Sequence, residues 1–243
     1  MRIVIFGAHG LTGRTLTGQA LAAGHEVTAI TRRPAEFPVE HARLRVVGAD
    51  VYDGNAVDAA TAGAEAVLST LGVPFTRKPV SVYSEGIRNI TAAMARHGVS
   101  RIVAVSSSAT YPHHHADGGF LMNRVLQPIV VATIGRSTYA DMRIMEEHLR
   151  GSGLRWTIVR PSGLFDTPEV SRYRLHENEA PGIFTSRADL AASLLEQLAD
   201  DRYLRKAVAV TTVEGTPTLW QMMRNEAVKQ PGGPRPDRSR TPR

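Results

Sequence analysis

The chain has no cysteine among its 243 residues, which excludes disulfides, thiol nucleophiles and thiolate metal sites. Aromatic residues are also scarce, at 6%. No apolar run approaches the ~20 residues that a membrane-spanning helix needs. The first residues lack the basic flank and long apolar stretch of a signal peptide, so we expect a cytoplasmic protein with no membrane partner.

The formal net charge of +6 is concentrated at the C-terminal end. Residues 229–243 carry five basic side chains against one aspartate, a net of +4, together with four prolines and two glycines. This composition predicts a disordered basic tail. The remaining body, 1–228, is close to neutral, so we expect no nucleic-acid partner, and its length suits one domain that is a monomer or a homodimer.

A glycine-rich segment follows directly after a first apolar run, Arg2 to Phe6. Its spacing is G-x-x-G-x-x-G rather than G-x-G-x-x-G, and the whole motif consists of Gly7, Ala8, His9, Gly10, Leu11, Thr12 and Gly13. We expect Gly7 to end a strand, Gly10 to leave room for phosphates and Gly13 to let a helix pack closely. His9 and Thr12 can add side-chain donors. The motif predicts the pyrophosphate site of a dinucleotide, the alternative being a turn without a ligand.

Two arginines, Arg32 and Arg33, follow the second apolar run, Val27 to Ile30. An acidic residue at this place would bind the adenosine ribose of NAD. A guanidinium instead matches a 2′-phosphate in charge and in its fork of donors. The pair therefore predicts NADP(H), although both side chains, and Arg33 above all, can also be ordinary surface charges.

Further apolar runs alternate with helical patterns along the chain. Strands are expected at 44–47, 66–70, 101–105, 156–159 and 207–212, and helices at 15–23, 55–61, 80–97, 139–150, 186–200 and 218–228. Ser186 is a candidate helix cap, with Asp189 three residues on. This alternation predicts an α/β fold: a Rossmann-like, doubly wound parallel sheet flanked by helices, in one domain.

The remaining candidate site residues follow the expected strands, where ligands bind in such sheets. We expect Asp50 and Val51 to bracket the adenine, although Asp50 can equally form a turn. Leu71 and Gly72 would line the path to the nicotinamide ribose, and Ser106 and Ser107 would lie beside the nicotinamide. The carboxamide end would be held by Pro161, Ser162, Gly163 and Leu164.

An insertion, 111–136, follows the fifth strand. Its apolar part, 120–134, would form a substrate lid or a dimer contact. Three adjacent histidines, 113–115, are expected to be solvated, because adjacent residues rarely bind one metal ion well. We therefore expect no metal site.

Together these residues resemble the atypical short-chain dehydrogenases, a group of NAD(P)H-binding proteins. The pattern is similar to the flavin reductase (biliverdin-IXβ reductase) family over roughly 1–213, apart from the insertion. Besides the glycine motif, the resemblance is carried by 31–32, 47–51, 84–90, 93–94, 97–99, 106–107, 152–154 and 159–161. It implies NADPH-dependent reduction of flavins, quinones or tetrapyrroles, with Arg32 on the 2′-phosphate, phosphate contacts from Gly10, Leu11 and Thr12, and Ser107 near hydride transfer.

Catalysis is the point where the chain departs from ordinary short-chain dehydrogenases, which use Tyr-x-x-x-Lys. Here the corresponding residues are Tyr139 and Arg143, which one helical turn places on the same face. Tyr139 is a candidate proton donor, with Ser107 orienting the substrate; alternatively Tyr139 packs between the insertion and the helix, and Asp141 caps or pairs locally. Arginine keeps the charge of the lysine but differs in shape and has a fixed protonation state.

Three functions are compatible with this sequence. The first is an NADPH-dependent reductase of a conjugated small-molecule acceptor, which needs little acid–base help because the acceptor is already electrophilic. The second is a non-enzymatic NADP(H)-sensing regulator similar to NmrA-like proteins, which the missing lysine favours. The third is a nicotinamide-dependent isomerase or epimerase, which would need a strong acid–base pair.

Overall fold

The computed structural model describes residues 1–74, 76, 78–111, 119, 124, 135–179, 181–218 and 221. Ten strands lie in this part: β1 (Arg2–Phe6), β2 (Glu26–Thr31), β3 (Leu44–Gly48), β4 (Ala66–Ser69), β5 (Arg101–Val105), β6 (Arg155–Pro161), β7 (Gly163–Phe165), β8 (Tyr173–Glu177), β9 (Phe184–Ser186) and β10 (Lys206–Thr212). The described α-helices are α1 (Leu11–Ala22), α2 (Gly54–Thr61), α3 (Val82–Arg96), α4 (Arg136–Gly151) and α5 (Arg187–Ala199).

Eight of these strands form one sheet in the order β3-β2-β1-β4-β5-β6-β10-β8. All neighbours are parallel except β8, which pairs antiparallel with β10 at the edge. The first six strands follow the doubly wound order with its reversal between β1 and β4, and ligands bind outside the strand ends at such a reversal. The Rossmann-like α/β prediction is confirmed.

Helices cover both faces of the sheet, which explains why its central strands are apolar on both sides. On one face α2, α3 and α4 enclose a core that includes Phe6 and Ile102. On the other face α1 and α5 enclose a second core that includes Ile5 and Val103. The glycine turn between β1 and α1 therefore follows a central strand that is packed on both faces.

Several predicted boundaries need correction. Helix α1 begins at Leu11 instead of residue 15, so the end of the glycine motif is already helical. The insertion ends before Arg136, because that residue begins α4. Strand β6 extends to Pro161, and β7, β8 and β9 were not expected. The sheet is consequently not wholly parallel: β8 returns along β10 as an antiparallel edge strand.

One capping prediction is confirmed, and several other predictions lie outside the described residues. The Ser186 hydroxyl caps α5 by accepting a hydrogen bond from the Asp189 amide at 3.0 Å. The tail 229–243, the three histidines, and most of both the insertion and the last expected helix are outside the described part. Among the described residues, no helix is long and apolar enough to span a membrane, and no cluster of metal-ligating side chains is found.

Candidate cofactor and active site

The glycine turn is built from two glycines that the backbone itself requires. Gly7 has φ +78°, and a Cβ there would lie 2.5 Å from the Thr70 carbonyl oxygen. A Cβ on Gly13 would lie 2.3 Å from the Gly7 carbonyl oxygen. Thr70, which sequence reasoning missed, also donates its hydroxyl to the Phe6 carbonyl at 3.0 Å. The turn is thereby fixed between β1 and the end of β4.

The middle glycine of the motif, Gly10, is different. A Cβ there would meet only the Gly7 carbonyl oxygen, at 3.4 Å, which is ordinary van der Waals contact. Gly10 is the N-cap of α1 and provides no side-chain cap, and no acidic residue lies in the first helical turn. Packing does not demand a glycine here, whereas a phosphate approaching the uncapped amides would. This geometry fits a bound pyrophosphate.

The two predicted arginines at the end of β2 differ in their ion-pair partners. Both are exposed, but Arg33 pairs with Glu36 at 3.1 Å. For Arg32 the described residues provide no comparable carboxylate. Arg32 is therefore the more available of the two cations, and its contact with a 2′-phosphate stays a prediction.

The adenine side of the predicted site is shaped by helix α3. A Cβ on Gly86 would approach Val51 Cγ2 at 2.8 Å and Leu71 Cδ1 at 2.9 Å. Asn89 donates its side-chain amide to the Val51 carbonyl at 2.8 Å. Gly86 and Asn89 thus place two of the predicted cofactor residues. Both belong to the 84–90 stretch that carried the resemblance. The sequence therefore pointed to these two residues but did not show that they contact Val51 and Leu71.

Asp50 has the turn role that the sequence left open. Its carboxylate accepts a hydrogen bond from the Tyr52 amide at 3.1 Å. Gly72, in contrast, faces open space, with no atom within 4 Å of an added Cβ. The contacts of Asp50 with adenine and of Gly72 with the nicotinamide ribose stay predictions.

The end of β5 brings Ser107 and Tyr139 together. Ser107 caps a short 3-10 helix, Ser108–Thr110, by accepting from the Ala109 amide at 3.2 Å. Its side chain also hydrogen-bonds Tyr139, which is 6% exposed at the start of α4. Burial raises the pKa of Tyr139, and the hydrogen bond with Ser107 opposes part of that rise. The hydroxyl of Tyr139 therefore stays protonated at neutral pH.

Arg143 lies on the same face of α4 but is held by the chain before the insertion. Its Nε donates to the Thr110 carbonyl at 2.8 Å, and its guanidinium carbon lies 5.9 Å from the Tyr111 ring centroid. The same ring is also approached by Arg160, whose guanidinium carbon is 4.6 Å from the centroid. Arg160 is itself neutralised by the fully buried Glu146 at 2.5 Å. Arg143 is thus at the position of the missing lysine but fixes the 108–111 turn.

Asp141 is buried and serves another helix. Its carboxylate accepts from the amides of Tyr83 at 2.8 Å and Ser84 at 3.3 Å, which are in the first turn of α3. It therefore caps a helix 58 residues away in sequence, so the capping alternative is correct although the capped helix is not local. Burial raises the pKa of the neighbouring Tyr83 to about 12.

The residues that were predicted to bind the carboxamide already make sheet and hydrogen-bond contacts within the protein. Pro161 ends β6 within the sheet, and Gly163 and Leu164 belong to β7, which pairs with β9. The Ser162 amide donates to the Thr185 hydroxyl and the Ser162 hydroxyl donates to the Gly182 carbonyl, both at 2.9 Å. Ser106 similarly bonds the Thr110 hydroxyl at 3.1 Å. These side chains are positioned by protein contacts, and their contacts with a cofactor stay predictions.

Comparison with known proteins agrees with this geometry. A family described as NAD(P)H-binding matches residues 7–201, and the chain belongs to that family. It is 27% identical over 221 residues to an uncharacterised sugar epimerase of Bacillus subtilis, covering 87% of this chain and 94% of that protein. It is also 38% identical over 108 residues to an uncharacterised protein of Mycobacterium tuberculosis, covering 44% of this chain. The chain spans only 12% of that protein's length.

Solved structures show the same fold. A short-chain dehydrogenase/reductase of Veillonella parvula in complex with NADP has a TM-score of 0.72 at 21% identity, covering 88% of this chain and 95% of that one. A Streptococcus pneumoniae protein with the provisional name NADH-flavin reductase has a TM-score of 0.68 at 20% identity, covering 88% and 100%. The resemblance to atypical short-chain dehydrogenases is confirmed, and the cofactor prediction is confirmed at the level of NAD(P)H.

Proposed function

We propose that the protein is an NADPH-dependent oxidoreductase that reduces a flat, conjugated acceptor such as a flavin or a quinone. The observation that carries the proposal is the Ser107–Tyr139 pair at the end of β5. When bound, the cofactor supplies the hydride. Tyr139 holds a proton for the acceptor because burial raises its pKa, and Ser107 orients that hydroxyl.

The preference for NADPH over NADH rests on the end of β2. The segment Thr31-Arg32-Arg33 has no acidic residue to receive a free ribose hydroxyl. The exposed Arg32 offers a cation and a fork of donors to a 2′-phosphate. Gly10, Leu11 and Thr12 would hold the pyrophosphate at the start of α1.

The class of acceptor follows from the weakness of the acid. A lysine beside the tyrosine would lower its pKa, but Arg143 is bonded to the Thr110 carbonyl. Because burial also raises the pKa of Tyr139, the hydroxyl is a poor general acid for an unactivated ketone. A flavin or quinone suits this site, since its conjugated system accepts a hydride without prior protonation.

The experiment measures oxidation of NADPH by wild-type protein with flavins, quinones and simple ketones, and NADH is compared under the same conditions. We expect turnover with the conjugated acceptors and NADPH. Tyr139→Phe is expected to lower kcat by less than the roughly hundredfold that a strong general acid contributes, because the acceptor takes a hydride without prior protonation, while NADPH affinity stays unchanged. The control is Tyr173→Phe, since that hydroxyl bonds Glu196 at 2.9 Å outside the proposed site.

Two results would change the proposal. If NADPH binds tightly but no acceptor is turned over, the protein is better described as an NADP(H)-sensing regulator. If Tyr139→Phe is as active as wild type, the reductase stands and the proton comes from water. A nicotinamide-dependent epimerase would instead pass a substrate hydride to the bound oxidised cofactor and back, so it would invert a substrate stereocentre without net oxidation of NADPH.

A further inference from the structure

Arg14, which the cofactor motif does not include, lies one residue beyond Gly13 in α1 and is half-buried. Its Nε donates to the His9 carbonyl at 2.8 Å, and its Nη2 lies 2.6 Å from His9 Nε2. In the described part of the chain, both of its recorded partners belong to His9 and neither is a carboxylate. Among the described residues, no carboxylate therefore pairs with this cation beside the glycine turn.

The contact with Arg14 determines the protonation of the His9 ring. A guanidinium has only donors, so His9 Nε2 must accept and the proton must reside on Nδ1. His9 is thus neutral. Its Nδ1 is buried and finds no acceptor among the residues that the structure describes. Burial, then the charges of Arg14 and Arg33, lower the pKa of His9, which keeps the ring neutral at physiological pH.

His9 also connects the start of α1 with the end of β2. Its ring centroid lies 6.1 Å from that of Phe37, which follows the short 3-10 helix Pro34–Glu36. The neighbouring Ala8 amide donates to the Ile30 carbonyl at 3.2 Å. Through these contacts Arg14 is held at the corner where Arg32 and Arg33 emerge. Glu36 neutralises one of these three arginines, Arg33, so the corner has a surplus of positive charge.

We infer that Arg14, positioned by His9, is a second cation of the phosphate site at the end of β2 and discriminates NADP from NAD together with Arg32. The inference rests on the proposed function. A guanidinium has five N–H donors, and the contacts with His9 use two of those on Arg14. The other three can bind a phosphate, and the two bonds to His9 reduce the rotamer entropy that a long side chain loses on binding.

The test compares the binding of NADP⁺ and NAD⁺ to the full chain by calorimetry. Arg14→Gln is expected to weaken NADP⁺ binding roughly tenfold to a hundredfold and to leave NAD⁺ binding unchanged. Arg14→Lys keeps the charge but loses the fork, so an intermediate loss is expected. Arg174→Gln, an exposed position on β8, is the control and should change neither affinity.

The role of His9 is tested by two substitutions. His9→Ala removes the acceptor and should reduce the preference for NADP⁺, whereas His9→Gln offers an amide oxygen to Arg14 and should restore part of it. Circular dichroism of each variant establishes that the fold is retained. Rescue by glutamine would not be expected if His9 only filled space.

The outcomes separate this inference from the proposed function. If Arg14→Gln and Arg14→Lys weaken NADP⁺ and NAD⁺ equally, Arg14 only shapes the turn and the inference is wrong. If both variants bind NADP⁺ as wild type does, the inference is equally wrong while the NADPH preference stands. If the wild-type protein binds NAD⁺ as well as NADP⁺, the 2′-phosphate site itself is absent and the proposed cofactor preference fails.

Discussion

Two arginines, one at the amino ends of the parallel strands and one near their carboxyl ends, differ in how many of their hydrogen-bond donors the protein satisfies. Arg101, the first residue of β5, is 5% exposed, and its five N–H groups donate to four acceptors. These are the Gln197, Ile102 and Arg155 carbonyls and the Thr157 hydroxyl. Burial lowers the pKa of Arg101 to about 10. Arg14, at the carboxyl edge, bonds only His9 in the described structure.

The difference separates an arginine that holds the fold together from one that is available to a ligand. Arg101 ties the last turn of α5 to two strands, and no donor is left over. At the carboxyl edge, donors of Arg14, Arg32 and the first amides of α1 keep capacity for an anion. The same contrast applies to two glycines of one turn: packing requires Gly13 but not Gly10.

The largest expected effect is a loss of stability from replacing Arg101, at the amino ends of the strands. Arg101→Met keeps much of the apolar stem but leaves several buried carbonyls without a donor, so we expect a loss of about 3 kcal/mol or more in the free energy of unfolding. Urea denaturation measures it. Arg14→Gln is the comparison and should cost far less; equal losses would remove the distinction between the two edges.

A smaller effect is expected within the glycine turn. Gly13→Ala forces a Cβ against the Gly7 carbonyl and should destabilise the protein by about 1–3 kcal/mol. Gly10→Ala should leave the free energy of unfolding nearly unchanged but weaken NADP⁺ and NAD⁺ binding alike, because its Cβ would occupy the expected position of the phosphates. Denaturation and calorimetry on both variants test this. Unimpaired nucleotide binding by Gly10→Ala would contradict the proposed pyrophosphate position.

The smallest expected effect is a pH dependence of stability. His148, on α4, accepts or donates a 2.8 Å hydrogen bond with the Thr91 hydroxyl of α3, and burial, then Arg88, lowers its pKa from 6.5. A histidine with a lowered folded-state pKa contributes stability above 6.5 that is lost as the pH falls through the folded value. Tm should therefore decline on acidification, and His148→Gln should flatten this decline. An unaltered acid limb in that variant would exclude His148 as a source.

Local patterns in the sequence were sufficient for most of the fold. The apolar runs placed the central strands, the helical pattern at 80–97 placed α3, and the Ser186 cap was found from side-chain type alone. Strands β7, β8 and β9 were missed because they are short or lie at the sheet edge, where half-exposed residues such as Tyr173 and Leu175 show no continuous apolar run.

The candidate site was predictable to the extent that its chemistry is local. The glycine motif and Arg32 are read from neighbouring residues, and the resemblance indicated Ser107. Asp141 capping α3, Gly86 packing on Val51 and Arg101 bonding Gln197 depend on residues far apart in the chain. No spacing rule connects such pairs, because the contact exists only after the sheet has assembled.

The sequence by itself determined the Rossmann-like order of strands and helices, the position of the glycine turn and the basic end of β2, since each depends on hydrophobic periodicity, glycine geometry or charge within a short segment. Only the tertiary structure decided which of the charged and polar groups are already satisfied. Arg143 is held by the Thr110 carbonyl and Arg33 by Glu36, while Arg14 retains free donors. The reason is that the hydrogen-bond partners of a side chain depend on which segments meet in space. Contacts between residues far apart in the chain cannot be read from local sequence patterns.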